Sequence, residues 1–177
     1  MFNKNAVTLF HHYIMSANIG DIKTCDSDID YVVERITEAN LHECADSAFS
    51  INIMAQYIKN QNDKAIGYLF KEKISGNAIG YAWVMRKGGD EIQYKIRNID
   101  AFLFDVFVSN QYRGKRFVNV MISYIAQKEF RETDKIYLAV RVDNVSAIKA
   151  YERIGFETQE EKRFLRILKK NIPYYKL

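Results

Sequence analysis

Phe104-Asp-Val-Phe-Val-Ser-Asn-Gln-Tyr-Arg-Gly-Lys-Arg-Phe-Val118 is the stretch on which the fold turns. Its apolar, β-branched and aromatic start reads as a strand. A short polar loop follows, then Arg113-Gly114-Lys115, then a long segment with apolar residues at helical spacing. Strand, glycine-bearing loop and helix N-terminus, in that order, make an anion cradle. The first-turn amides of a helix have no partner within it, and the helix dipole adds partial positive charge there. Arg113, Lys115 and Arg116 bring cations to the same spot, so a phosphate-bearing guest is expected.

Working outward, the helix after the cradle is expected over about 115–130, with Phe117, Met121, Tyr124 and Ile125 on one face. Upstream, residues 65–70 and 78–85 read as strands joined by a turn at Ser75-Gly76-Asn77, a β-hairpin. Earlier still, 50–59 reads as a helix with Ile51, Met54, Tyr57 and Ile58 inward. Ser27-x-x-Asp30 resembles a capping box, with Ile29, Val32, Val33 and Ile36 at helical spacing behind it. Residues 7–15 are rich in strand formers, Lys87-Gly-Gly-Asp90 reads as a turn, and 91–96 as further strand before the main one at 102–108. Downstream come a strand at 136–142, a short helix at 147–154 closed by Gly155, a strand around 163–168 and a last one at 174–177. Helices early, a hairpin, then strand–helix units indicate one α/β (α+β) domain over residues 1–177. Its expected sheet is mixed, with six or seven strands and about four helices.

The chain has 177 residues, enough for one domain with a sizeable core. A hydrophobic fraction of 48% and an aromatic fraction of 14% exclude a disordered chain. Against 22 acidic residues stand 26 Lys and Arg, a net +4 that suits an anionic small ligand and is too weak to argue for nucleic acid. Cys25 and Cys44 lack motif spacing, which fits a reducing compartment. The N-terminus has no signal-peptide apolar run, and no stretch approaches the ~20 apolar residues of a membrane span, so a cytoplasmic protein without a membrane partner is expected.

A second constellation lies downstream, Asn144-Val-Ser-Ala147-Ile-Lys-Ala-Tyr151-Glu-Arg-Ile-Gly155-Phe156. Asn144 reads as an N-cap whose side-chain oxygen accepts from the amide of residue 146 or 147. Tyr151 follows two helical turns later and shares a face with Asn144 and Ala147. Together with Val108-x2-Gln111-x2-Gly114-x-Arg116, this pattern resembles the GNAT N-acetyltransferase superfamily, clearly from about residue 64 to 156 and only vaguely in the first 60. The strand Ala78-Ile-Gly-Tyr-Ala-Trp83 looks like the family's third.

That resemblance implies two adjacent parallel strands, around 104–108 and 138–142, that splay apart to admit acetyl-CoA as co-substrate. The pantetheine would pair with the backbone of Val106, Phe107 and Val108. In the motif that Gln111 opens, the pyrophosphate would take amides of Arg113, Gly114, Lys115, Arg116, Phe117, Val118 and Asn119. Asn144 and Ala147 would flank the pantetheine arm, and Tyr151 would face the thioester sulfur. Arg116 departs from the family pattern, standing where glycine or alanine is usual. In the first turn of a helix its φ is expected to be negative, leaving the arginine able to swing outward onto a phosphate.

Acyl transfer from a thioester to an amine needs a route for the amine's proton, stabilisation of the oxyanion and protonation of the departing thiolate. Tyr151 is the candidate general acid, and the strand amide near Val108 the candidate oxyanion donor. Asp105 is the candidate base, with a structural or substrate-binding acid as the alternative; strand alternation puts it on the face opposite Phe104 and Val106. No metal is expected: His11-His12 point to opposite faces of a strand, and His42-x-Cys44 is short of ligands. The basic tail, Lys162-Arg163, Arg166 and Lys169-Lys170, reads as a solvated, partly substrate-facing strand. The expected activity is N-acetylation of a primary amine, a small metabolite by mild preference, by direct attack in a ternary complex, in a monomer or homodimer. The alternatives are a non-catalytic acyl-CoA-binding or regulatory module and an RNA-acting GNAT-like toxin.

Overall fold

The computed structural model describes residues 7–44, 51–60, 64–86, 101–131, 134–167 and 170–173. Among them eight strands form one sheet: Val7–Asn18 (β1), Tyr31–Arg35 (β2), Ala65–Glu72 (β3), Ala78–Arg86 (β4), Ala101–Val108 (β5), Lys135–Arg141 (β6), Glu157–Ile167 (β7) and Lys170–Pro173 (β8). Their order is β2-β3-β4-β5-β6-β1-β7-β8. The α-helices are Ile51–Asn60 (α1), Phe117–Glu129 (α2) and Val145–Arg153 (α3). β5 and β6 are parallel and the remaining pairs antiparallel, so α2 is the crossover that a parallel pair requires. The mixed α/β sheet with a parallel pair at its centre is as expected. The expected strand at 91–96 and the one at 174–177 lie outside the described residues.

One expected helix is a strand. Ser27 does accept an amide through its side chain, but from Ile29, two residues on, at 3.0 Å, which makes a local turn and not a helix cap. The β-branched run that follows then pairs with the hairpin as β2, Tyr31 opposite Glu72 and Val33 opposite Phe70. This edge strand and the short β8 take the sheet to eight strands among the described residues, and the loss of that helix leaves three α-helices there.

Two apolar layers cover the sheet. On one face Phe117, Val120, Met121 and Ile125 of α2, with Tyr151 of α3, pack on Phe70, Val84, Leu103 and Leu138. On the other, Met54 and Tyr57 of α1 pack with Trp83, Phe102 and Phe104. Tyr57 meets Trp83 and Phe104 edge-on, at centroid distances of 5.4 and 5.1 Å. Gly67 makes room for the indole, since a Cβ there would stand 2.8 Å from the Trp83 ring.

The centre of the sheet opens. β5 and β6 pair only over Ala101–Ile136, Phe102–Tyr137 and Leu103–Leu138. Just beyond, β5 carries a bulge: Tyr81 faces Phe107 and Trp83 faces Phe104, so Ala82 alone stands opposite Asp105 and Val106. Asp105 absorbs the extra residue with φ of 49°. A bulge bends its strand, and here it turns the C-terminal half of β5 away from β6. The gap between the two is where the site lies.

Candidate active site

The backbone of β5 is directed into this gap. A Cβ at Gly80 would fall on the Phe107 carbonyl, and the Ser109 amide bonds the Ile79 carbonyl at 2.8 Å, so residues 107 and 109 face β4. The N–H and C=O of one strand residue share an edge and alternate along the chain. Val106 and Val108 therefore turn theirs the other way, toward the gap. The Val108 carbonyl is taken by Arg113, whose Nε donates to it at 3.0 Å.

At the mouth of the gap the loop expected to cradle an anion has the backbone for it. Gly114 has φ of 79° and Arg116 of 57°, with Lys115 between them outside the positive range. Such alternation turns successive amides to one concave side, a nest that holds anions. Among the described residues the amides of Gly114, Lys115, Arg116, Phe117 and Val118 have no backbone acceptor. The Arg113 amide, in contrast, is held by the Asn110 carbonyl at 3.3 Å and the Asn119 amide by the Arg116 carbonyl at 3.0 Å. The cradle is thus narrower at both ends than the expected 113–119. A Cβ on Gly114 would meet no protein atom within 4 Å, so that side is open to a guest.

Arg116 corrects the expectation of a negative φ: it precedes α2 in the left-handed region, exposed and without an ion pair among the described residues. The position that usually carries glycine does demand glycine-like backbone here. The other cations lean on rings, Arg113 5.8 Å from the Phe107 centroid and Lys115 5.6 Å from that of Tyr112. Tyr112 is itself buried and donates its hydroxyl to Glu72 at 3.1 Å, pinning the loop to the hairpin. Gln111 is exposed in the single 3-10 turn that precedes it.

Asn144 caps α3 as expected, its Oδ1 accepting from the Ala147 amide at 3.3 Å. Ala147 and Tyr151 pack on the α2 face of the sheet, the same layer as Val106 and Val108. The Tyr151 ring rests on Phe156 at 6.0 Å, and burial pushes its phenol up to about 12. Asn119 is buried in α2 and donates to the Ala150 carbonyl at 2.9 Å, joining the cradle helix to α3.

Asp105 is not where alternation puts it. The bulge turns it to the same side as Phe104, the α1 face, where Tyr81 donates its hydroxyl to Oδ1 at 3.5 Å and Oδ2 is buried with no hydrogen-bond partner among the described residues. Burial raises the carboxyl from 3.8 to about 6. Its charge in turn helps to raise Tyr57 and Cys44, each held mainly by burial at about 12. The sheet thus has a cradle and a phenol on one face, a carboxylate on the other, and a gap between them. Among the described residues no three His, Cys, Asp or Glu are grouped to hold a metal, and no helix is long and apolar enough to cross a membrane.

Solved structures share this fold. They include GCN5-related N-acetyltransferases from Sphaerobacter thermophilus (TM-score 0.65, 12% identity, 93% of this chain and 53% of that one) and Kribbella flavida (0.60, 12%, 92% and 60%). A GCN5-related N-acetyltransferase-like protein from Streptococcus suis is also similar (0.59, 13%, 93% and 64%). The chain therefore spans between 53% and 64% of the length of these structures. No curated protein matches the sequence. Residues 31–156, which hold the hairpin, the gap, the cradle and the capped helix, match the acetyltransferase (GNAT) family, and the chain belongs to it.

Proposed function

We propose that the protein transfers the acetyl group of acetyl-CoA to a primary amine by direct attack in a ternary complex. What carries the reading is the open nest of amides from Gly114 to Val118 at the mouth of the β5–β6 gap. Unpaired amides, a helix N-terminus and a glycine with free space beside it fit a diphosphate. Val106 offers its strand amide to a pantetheine arm, leaving that of Val108 for the acyl carbonyl, and Asn144 and Ala147 flank the arm from α3. Bound acetyl-CoA supplies the activated carbonyl.

The chain's own groups supply the rest. The Val108 amide donates to the carbonyl oxygen as charge develops there. Asp105 takes the amine's proton as the C–N bond forms, and Tyr151 gives its proton to sulfur as the C–S bond breaks, so the two transfers balance. The raised Tyr151 phenol keeps its proton at neutral pH, as a donor must. Replacement of Tyr151 by Phe tests this: turnover falls by about 10²-fold or more while the affinity for CoA stays within a few-fold. Unchanged turnover removes Tyr151 from the role.

A further inference from the structure

The α1 face has a chemistry of its own beside Asp105. A small cleft opens on that face, with Glu43, Cys44, Tyr81, Phe107 and Ser109 among its walls, and the Tyr81 hydroxyl joins it to Asp105 at 3.5 Å. Tyr81 and Phe107 stack at 5.4 Å with their planes 21° apart, and Tyr57 closes in from α1. Among the described residues no basic group offsets the Asp105 carboxylate. Lys71 is engaged by Glu43 at 2.8 Å and by Glu34 at 3.5 Å, and Arg113 by the Val108 carbonyl at 3.0 Å. A buried carboxylate oxygen without a partner is costly, and a cation arriving from outside relieves it. Aromatic faces beside it add attraction for an ammonium group and cover for an apolar arm. A guest carboxylate meets the opposite situation, because Asp105 stands there as a like charge and Glu43 is already paired with Lys71.

We infer that the acceptor is a primary amine on an apolar or aromatic arm with no carboxylate beside the nitrogen. Its ammonium lies against Asp105 and its arm against Tyr81 and Phe107. The inference rests on the acyl-transfer reading of the same site and narrows it: alkylamines and aralkylamines are substrates, and α-amino acids are rejected by like charge. The ammonium first releases one proton to solvent, and the carboxylate that held it then takes the second as the C–N bond forms.

Phenethylamine and L-phenylalanine differ by one carboxylate and make a direct test. Calorimetric titration of the CoA-saturated protein with each, at pH 8, gives phenethylamine at least about tenfold tighter binding, the discrimination expected from like-charge juxtaposition. Asp105→Asn, with its fold checked by circular dichroism, removes most of that preference. Equal or tighter binding of L-phenylalanine to the wild-type protein overturns the inference, as does failure of phenethylamine to bind. Thiol release separates the two ideas. Phenethylamine that binds without being acetylated leaves this site standing and defeats acetyl transfer, whereas acetylation of L-phenylalanine in preference to phenethylamine does the reverse.

Discussion

Asn119 of α2 donates its side-chain amide to the carbonyl of Ala150 in α3 at 2.9 Å, and both residues are buried. The helix that begins at the cradle is thereby fixed to the helix that carries Tyr151, one residue past the acceptor carbonyl. Asn119→Leu strands a buried carbonyl, a loss of roughly 1–3 kcal/mol. Urea denaturation should show that loss, and turnover should fall more than CoA affinity because Tyr151 loses its anchor.

Arg116 stands at a φ of 57°, where an L side chain costs roughly 1–2 kcal/mol. Arg116→Gly removes that strain and one cation. The variant should melt no lower than the wild type and bind CoA several-fold more weakly at low salt, with the difference closing as salt is added. A lower melting temperature would show that the arginine makes contacts that outweigh its backbone strain.

Gly114 has φ of 79° and no protein atom near its missing Cβ. Gly114→Asp therefore disturbs the guest more than the fold. Titration should show CoA affinity lower by at least about tenfold through charge repulsion and bulk, with a stability loss of only about 1 kcal/mol. Unaltered CoA affinity would contradict the placement of the diphosphate.

Asp105 titrates near 6 in the folded protein against 3.8 as an ordinary carboxyl, because burial disfavours its charge. Its folded value is the higher, so its contribution to stability is complete below about pH 4 and is lost as pH rises through about 6. Allowing for partial solvent contact, the loss is roughly 2 kcal/mol. Asp105→Asn should accordingly be the more stable protein at pH 8 and lose that advantage toward pH 4. The wild-type kcat/KM should rise with pH through a limb near 6 that the variant lacks.

Legibility in the sequence followed the range of the signals. The apolar, β-branched and aromatic runs over 78–85 and 102–108, the Asn144 cap and the Gly155 stop are local, and each element formed where they place it. The helix expected after Ser27 failed because a serine that accepts an amide two residues on looks the same, in sequence, as one that caps a helix. The backbone of Asp105 and of Arg116 was misread for one shared reason. Both take a positive φ without being glycine, one to form a bulge and one to form a nest, and only the surrounding fold imposes that. The bulge mattered most, since a single extra residue moved the carboxylate from one face of the sheet to the other.

Acetyl transfer through the gap between β5 and β6 is open to direct test. Thiol release from acetyl-CoA across a panel of primary amines, with the acetylated product identified by mass, tests it most directly. Release should require both the amine and Tyr151 and be fastest with amines that lack a neighbouring carboxylate. Tight CoA binding with no release on any amine would contradict it.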